Sequence, residues 1–133
     1  MKKDSYYEAM RWLKQAEEDL FTVEILIKEN CFYMACFLSQ QVAEKCLNAF
    51  LYSKGEEFVF GHSISKLCID CSKYNKENTC ARKLKTLINF ILKLDIPTGF
   101  LTIFQQNSSI KMIIIRQKKL LKKLINYLIS VIL

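Results

Sequence analysis

The sequence predicts an all-α domain, an up-and-down bundle of four to five helices, and three observations lead there. Turn chemistry is scarce: 133 residues hold only three Gly and one Pro, too few for the many turns of a β-sandwich or barrel. Apolar residues recur at spacings of three and four along most of the chain, the period of a helix with one buried face. Hydrophobic residues make up 51% and charged residues 25%, enough apolar side chain for one core and too little charge density for a disordered chain. The length suits one domain, residues 1–133, that needs no disulfide staples.

The first helix is expected over residues 5–30, where Leu13, Ala16, Leu20, Val23 and Ile27 make one apolar stripe. Glu29-Asn30-Cys31 interrupts that stripe and reads as a short connection. A second helix over 32–53 carries Met34, Phe37, Leu38, Val42, Leu47, Phe50 and Leu51 on a wide apolar face, and Gly55 is its expected C-terminal cap. Two long helices joined so tightly form an antiparallel hairpin. A shorter third helix is expected over 63–74, with Ile64, Leu67, Cys68 and Cys71 inward. A fourth over 79–94 carries Leu84, Leu87, Ile88, Ile91 and Leu92, and Ile96-Pro97-Thr98-Gly99 stops it. A last helix over 110–133 would align Leu121, Leu124, Leu128 and Ile132.

The net charge of +7 is concentrated in the tail. Residues 1–95 hold 14 basic against 13 acidic residues, whereas 96–133 hold six bases (Lys111, Arg116, Lys118, Lys119, Lys122, Lys123) and no acid. Any affinity for polyanions inferred from charge therefore rests on the tail alone. No apolar leader follows Met1-Lys2-Lys3-Asp4 and no apolar run reaches the roughly 18 residues of a membrane span, so a cytoplasmic location is expected. Six cysteines in a reducing compartment read as free thiols. Cys68-x-x-Cys71 has no second ligand pair for zinc and no strand before it for a thioredoxin-like motif, so it reads as core, as do Cys36 and Cys46. No metal and no cofactor is expected.

In the second helix, the run Tyr33 to Ala49 contains Gln40-Gln41-Val42-Ala43-Glu44-Lys45. It resembles the signature of the HEPN (higher eukaryotes and prokaryotes nucleotide-binding) domain family, in its small stand-alone prokaryotic type. Trp12-Leu13-Lys14-Gln15-Ala16-Glu17-Glu18-Asp19-Leu20 is similar to that family's first helix, and Gly61-His62-Ser63-Ile64-Ser65-Lys66-Leu67 to its loop and third helix. The likeness covers about residues 8–98. Beyond Ile96-Pro97-Thr98 the family continues with Arg, an aromatic, Pro and Asp, which this chain lacks. Plausible codons for residues 99–106, read one base earlier, spell Arg-Phe-Pro-Asp-Asn-Phe-Pro-Ala, so a one-base loss near Thr98 would account for a tail without acids.

Helical spacing puts Gln40 with Glu44, and Gln41 with Lys45, at i,i+4. With His62, these four are the candidate ligand-binding residues. A buried polar network that fixes helix register explains the four equally well, and His62 also fits a structural role at the edge of the third helix. Nucleases of the family use Arg followed four to six residues later by His, a general acid/base near a ribose hydroxyl. Arg11, Arg82 and Arg116 have no such His, and no catalytic residue is assigned.

The resemblance implies a non-catalytic nucleotide- or RNA-binding module. It further implies a minimal nucleotidyltransferase as partner, a toxin–antitoxin-like pair, and homodimers. The competing readings are a HEPN ribonuclease, which the missing motif disfavours, and a basic helical binder of nucleic acid or membrane surface acting through the tail.

Overall fold

The computed structural model describes residues 3–59, 64–74 and 108–132. These form four helices and, among the described residues, no strand: α1 (Lys3–Lys28), α2 (Phe32–Ser53), α3 (Ile64–Ser72) and α4 (Ser108–Ile132). The expected helix over 79–94, its Ile-Pro-Thr stop and His62 lie outside the described residues. The all-α expectation holds.

Helix α1 contains no Gly or Pro, and Asp4 in its first turn and Lys28 in its last complement the helix dipole. Its stripe is buried as the period required: Leu13, Ala16, Leu20, Val23 and Ile27 are all at most 7% exposed. The helix stops two residues earlier than expected because Asn30 takes the left-handed conformation, φ 59°. Cys31 N–H then donates to Leu26 O at 2.8 Å and Asn30 N–H to Ile27 O at 3.1 Å, closing the last turn on itself. The end of α2 repeats this device. Gly55 has φ 92°, Gly55 N–H donates to Tyr52 O at 3.0 Å, and Glu56 N–H donates to Leu51 O at 3.3 Å. Gly55 is thus the left-handed residue just past the cap position Lys54.

The turn at Asn30 folds α1 and α2 into the antiparallel hairpin, and α4 packs against both while α3 lies on α2. Leu67 and Cys71 of α3 turn inward as expected, whereas the side chains of Ile64 and Cys68 lie outside the described ones. In α4, Leu121, Leu124, Leu128 and Ile132 join Ile114 and Ile125 in the core. The tail is therefore a bundle helix that shares one core with the hairpin.

Two expected core residues are outside it. Met34 and Phe37 are 47% and 43% exposed, and Ala35, Cys36 and Ser39 take the buried positions of the first turns of α2. The helix is apolar on nearly every side there, so periodicity cannot choose which side faces in. Packing against the rest of the core chooses the small residues, which permit close contact there. Ser39 lies in this close contact because its Oγ donates to Ala35 O at 2.7 Å, so no hydroxyl is left unpaired.

Candidate functional site

Of the four α2 candidates, Lys45 reaches a partner on α1. Lys45 Nζ donates to Asp19 Oδ2 of α1, an ion pair across the hairpin whose side chains are only 20% and 15% exposed. Gln15 Nε2, one turn before Asp19, donates to its other oxygen, Oδ1, at 3.4 Å. Asp19 thus ties the two helices together with both oxygens engaged. Glu44, the next residue in α2, is 8% exposed and projects about 100° away from Lys45 around the helix. Gln40 and Gln41 are half-buried. Lys45 is thus engaged in an interhelical ion pair, while Gln40, Gln41 and Glu44 lie beside it on α2.

Lys45 also shares a cavity of about 220 Å3 with Arg11, Trp12 and Gln15 of α1. Trp12, Gln15 and Asp19 recur at i, i+3 and i+7, so they form one flank beside the core stripe. The Arg11 guanidinium stands 5.8 Å from the centroid of the Trp12 ring and also donates to Glu8 Oε2 at 2.8 Å. The indole Nε1–H of Trp12 is buried and has no hydrogen-bond acceptor among the described residues. Leaving such a donor unmet costs about 1–3 kcal/mol. A donor-rich wall beside an aromatic ring is suited to hold a planar group bearing acceptors.

A signal for these residues was present in the sequence. Trp12 is the chain's single tryptophan and stands inside the first-helix pattern, but its partner Lys45 is remote in sequence and only the fold joins them.

The thiols behave as core. Cys36, Cys46 and Cys71 are buried, Cys31 is exposed, and all four are free. Burial pushes the Cys36 thiol up to about 11 and raises Cys46 further, with Glu17 adding to it, so neither is a nucleophile near neutral pH. Among the described residues no group of His, Cys, Asp and Glu is placed to hold a metal, and no helix is long and apolar enough to cross a membrane.

On the outside, Arg116, Lys119, Lys122 and Lys123 are exposed on α4, while Lys118 reaches back to Glu24 of α1 at 4.0 Å. At the start of α2, Tyr33, Met34 and Phe37 form an exposed apolar patch one to two turns before Gln40 and Gln41.

The family model for the HEPN domain matches residues 9–132. The chain belongs to the HEPN domain family. The match takes in the ion pair, the cavity and all four described helices of this HEPN domain, and it runs well past residue 98, where the likeness of motifs ended. Family membership carries a nucleotide- or RNA-related role. No curated protein and no solved structure matches the chain.

Proposed function

We propose that this HEPN domain is a non-catalytic nucleotide- and RNA-binding module that works, as a cytoplasmic homodimer, beside a minimal nucleotidyltransferase in a toxin–antitoxin-like pair. The observation that carries the non-catalytic part is the histidine count. The chain has one histidine, His62, and it follows none of the three arginines at the four-to-six-residue spacing a HEPN nuclease needs. Without that pair the chain lacks the arrangement by which the family's nucleases take a proton from a ribose 2′-hydroxyl.

The binding part is supported by the donor-rich cavity at Lys45 and by the exposed α4 ridge of Arg116, Lys119, Lys122 and Lys123. Together they offer one place for a compact polar group and one for a phosphate backbone. The exposed Tyr33, Met34 and Phe37 supply an apolar patch of the kind that docks a second subunit or a protein partner. Gln40, Gln41 and Glu44 border that patch on α2, and they, with His62, remain the ligand- or partner-contacting candidates.

The test is a tagged purification from the native cell followed by mass spectrometry. A small nucleotidyltransferase recovered in stoichiometric amount is the expected result. Recovery of the chain alone, with cleavage of added RNA, would replace this function with the ribonuclease reading.

The basic α4 ridge also bears on the tail-mediated binder as a second reading. Truncation of residues 109–133 is not a clean test of it, because α4 buries Ile114, Leu121, Leu124 and Leu128 in the common core. Neutralising Lys119, Lys122 and Lys123 to Gln removes charge while sparing those positions. If the tail is the binding element, the salt dependence of RNA or vesicle binding collapses in that variant.

A further inference from the structure

The geometry points to the cavity between α1 and α2, lined by Arg11, Trp12, Gln15 and Lys45, as a pocket for one unstacked nucleobase. This deepens the nucleotide-binding reading above and rests on it, naming the part of the ligand that the cavity takes.

Size narrows the ligand first. About 220 Å3 is below the roughly 300–1,000 Å3 of sites that enclose a drug-sized molecule, so the cavity admits a compact ring system and leaves the rest of a nucleotide outside. Charge narrows it further. Both cations at the wall face a carboxylate, Arg11 with Glu8 and Lys45 with Asp19, so the rim has no net charge to attract a bare anion. Hydrogen-bonding capacity is nonetheless one-sided. Both oxygens of Asp19 are occupied, whereas Arg11 and Lys45 each spend one donor on their acid and keep the others for a ligand. A neutral group that is rich in acceptors meets that imbalance.

Shape supplies the last restriction. The Trp12 ring and the Arg11 guanidinium are the two planar surfaces on which proteins stack unpaired bases. Gln15 is an amide whose donor and acceptor can together read the edge of a base. Acceptor atoms of the base would meet the spare donors of Arg11 and Lys45, with the sugar and phosphate projecting to solvent past exposed Arg11.

Trp12 is the chain's single tryptophan and lines this cavity, so in the folded chain its emission responds to what enters there. The full chain is titrated with adenosine, uridine, their monophosphates, ribose 5-phosphate, inorganic phosphate and a short acidic peptide. In parallel, binding of an end-labelled single-stranded RNA is followed by anisotropy. Nucleosides and nucleotides are expected to change Trp12 emission alike, ribose 5-phosphate, phosphate and peptide to leave it unchanged, and Gln15→Ala to weaken the nucleoside response roughly tenfold. Gln15 and Arg11 are exposed, so Gln15→Ala and Arg11→Ala keep the fold, checked by an unchanged melting curve. An equal response to ribose 5-phosphate or phosphate, or a response to the peptide, overturns the base pocket. Binding of labelled RNA with unchanged Trp12 emission overturns the pocket while leaving the nucleotide-binding function standing. Failure of RNA and nucleosides alike overturns both.

Discussion

Asp19 is where structure and function compete for the same atoms. Its carboxylate receives Lys45 and Gln15, and the pair lies between the fully buried and the surface regimes. A double-mutant cycle with Lys45→Ala and Asp19→Ala should therefore give a coupling of about 1–2 kcal/mol, above the ~0–1 of a surface pair and below the ~3–5 lost when a buried one is broken. Denaturant melts of the three variants measure it, and additive effects would show that the pair is ornamental to the fold. Tyr74 supplies a pH-dependent residue. Its hydroxyl donates to Glu56, and that hydrogen bond, with burial and the neighbouring acids, pushes it up to about 12 from the usual 10. The unfolded chain loses this proton first, so the stabilisation is whole below pH 10 and is lost as pH rises from 10 through about 12. Tyr74→Phe should flatten part of the alkaline fall of the unfolding midpoint, and an unaltered fall would show that Tyr74 contributes none of it.

At the scale of elements, two left-handed residues end the long helices: Asn30 turns α1 into α2, and Gly55 closes α2. Asn30→Gly should be neutral or stabilising by less than about 1 kcal/mol, and Asn30→Val destabilising by about 1–2 kcal/mol, because a β-branched residue resists that backbone. Gly55→Ala belongs with the second case, since its methyl would meet nothing within 4 Å and only the backbone opposes it. Thermal melts rank the three, and an Asn30→Val variant as stable as the parent would remove the cap from the argument. These elements also show what a sequence can reveal. The stripe from Leu13 to Ile27 and the break at Asn30 were readable because a helix with one polar face announces its period and its end. The inward face of α2 was not readable at Met34 and Phe37, since a helix apolar on most sides offers no phase and the small residues Ala35 and Ser39 settle it only through their neighbours. The cavity was less readable still. Arg11, Trp12 and Gln15 meet Lys45 only when the hairpin closes.

For the whole molecule, α4 decides both fold and charge. Ile114, Leu121, Leu124 and Leu128 complete the core, while six bases unbalanced by any acid give the chain its positive excess. Leu121→Ala, at a position with no exposure, should cost about 2–5 kcal/mol and loosen the whole bundle, which a denaturant melt followed in the Trp12 emission would register. The frame reading of residues 99–133 bears on charge more than on shape, because plausible codons in the earlier frame also allow an amphipathic last helix. Resequencing the gene across Thr98 decides it: one recovered base restores Arg-Phe-Pro-Asp after Ile-Pro-Thr and adds acids to the last helix, and an unchanged sequence ends the idea.

The measurement closest to the centre is a single incubation of the full chain, in molar excess, with end-labelled single-stranded RNA, split between a native and a denaturing gel. Retarded RNA that is still full length on the denaturing gel is the outcome expected of a HEPN domain without its nuclease pair. Shortened RNA, persisting in repeated preparations and lost on His62→Ala, would contradict it and return the chain to the ribonucleases.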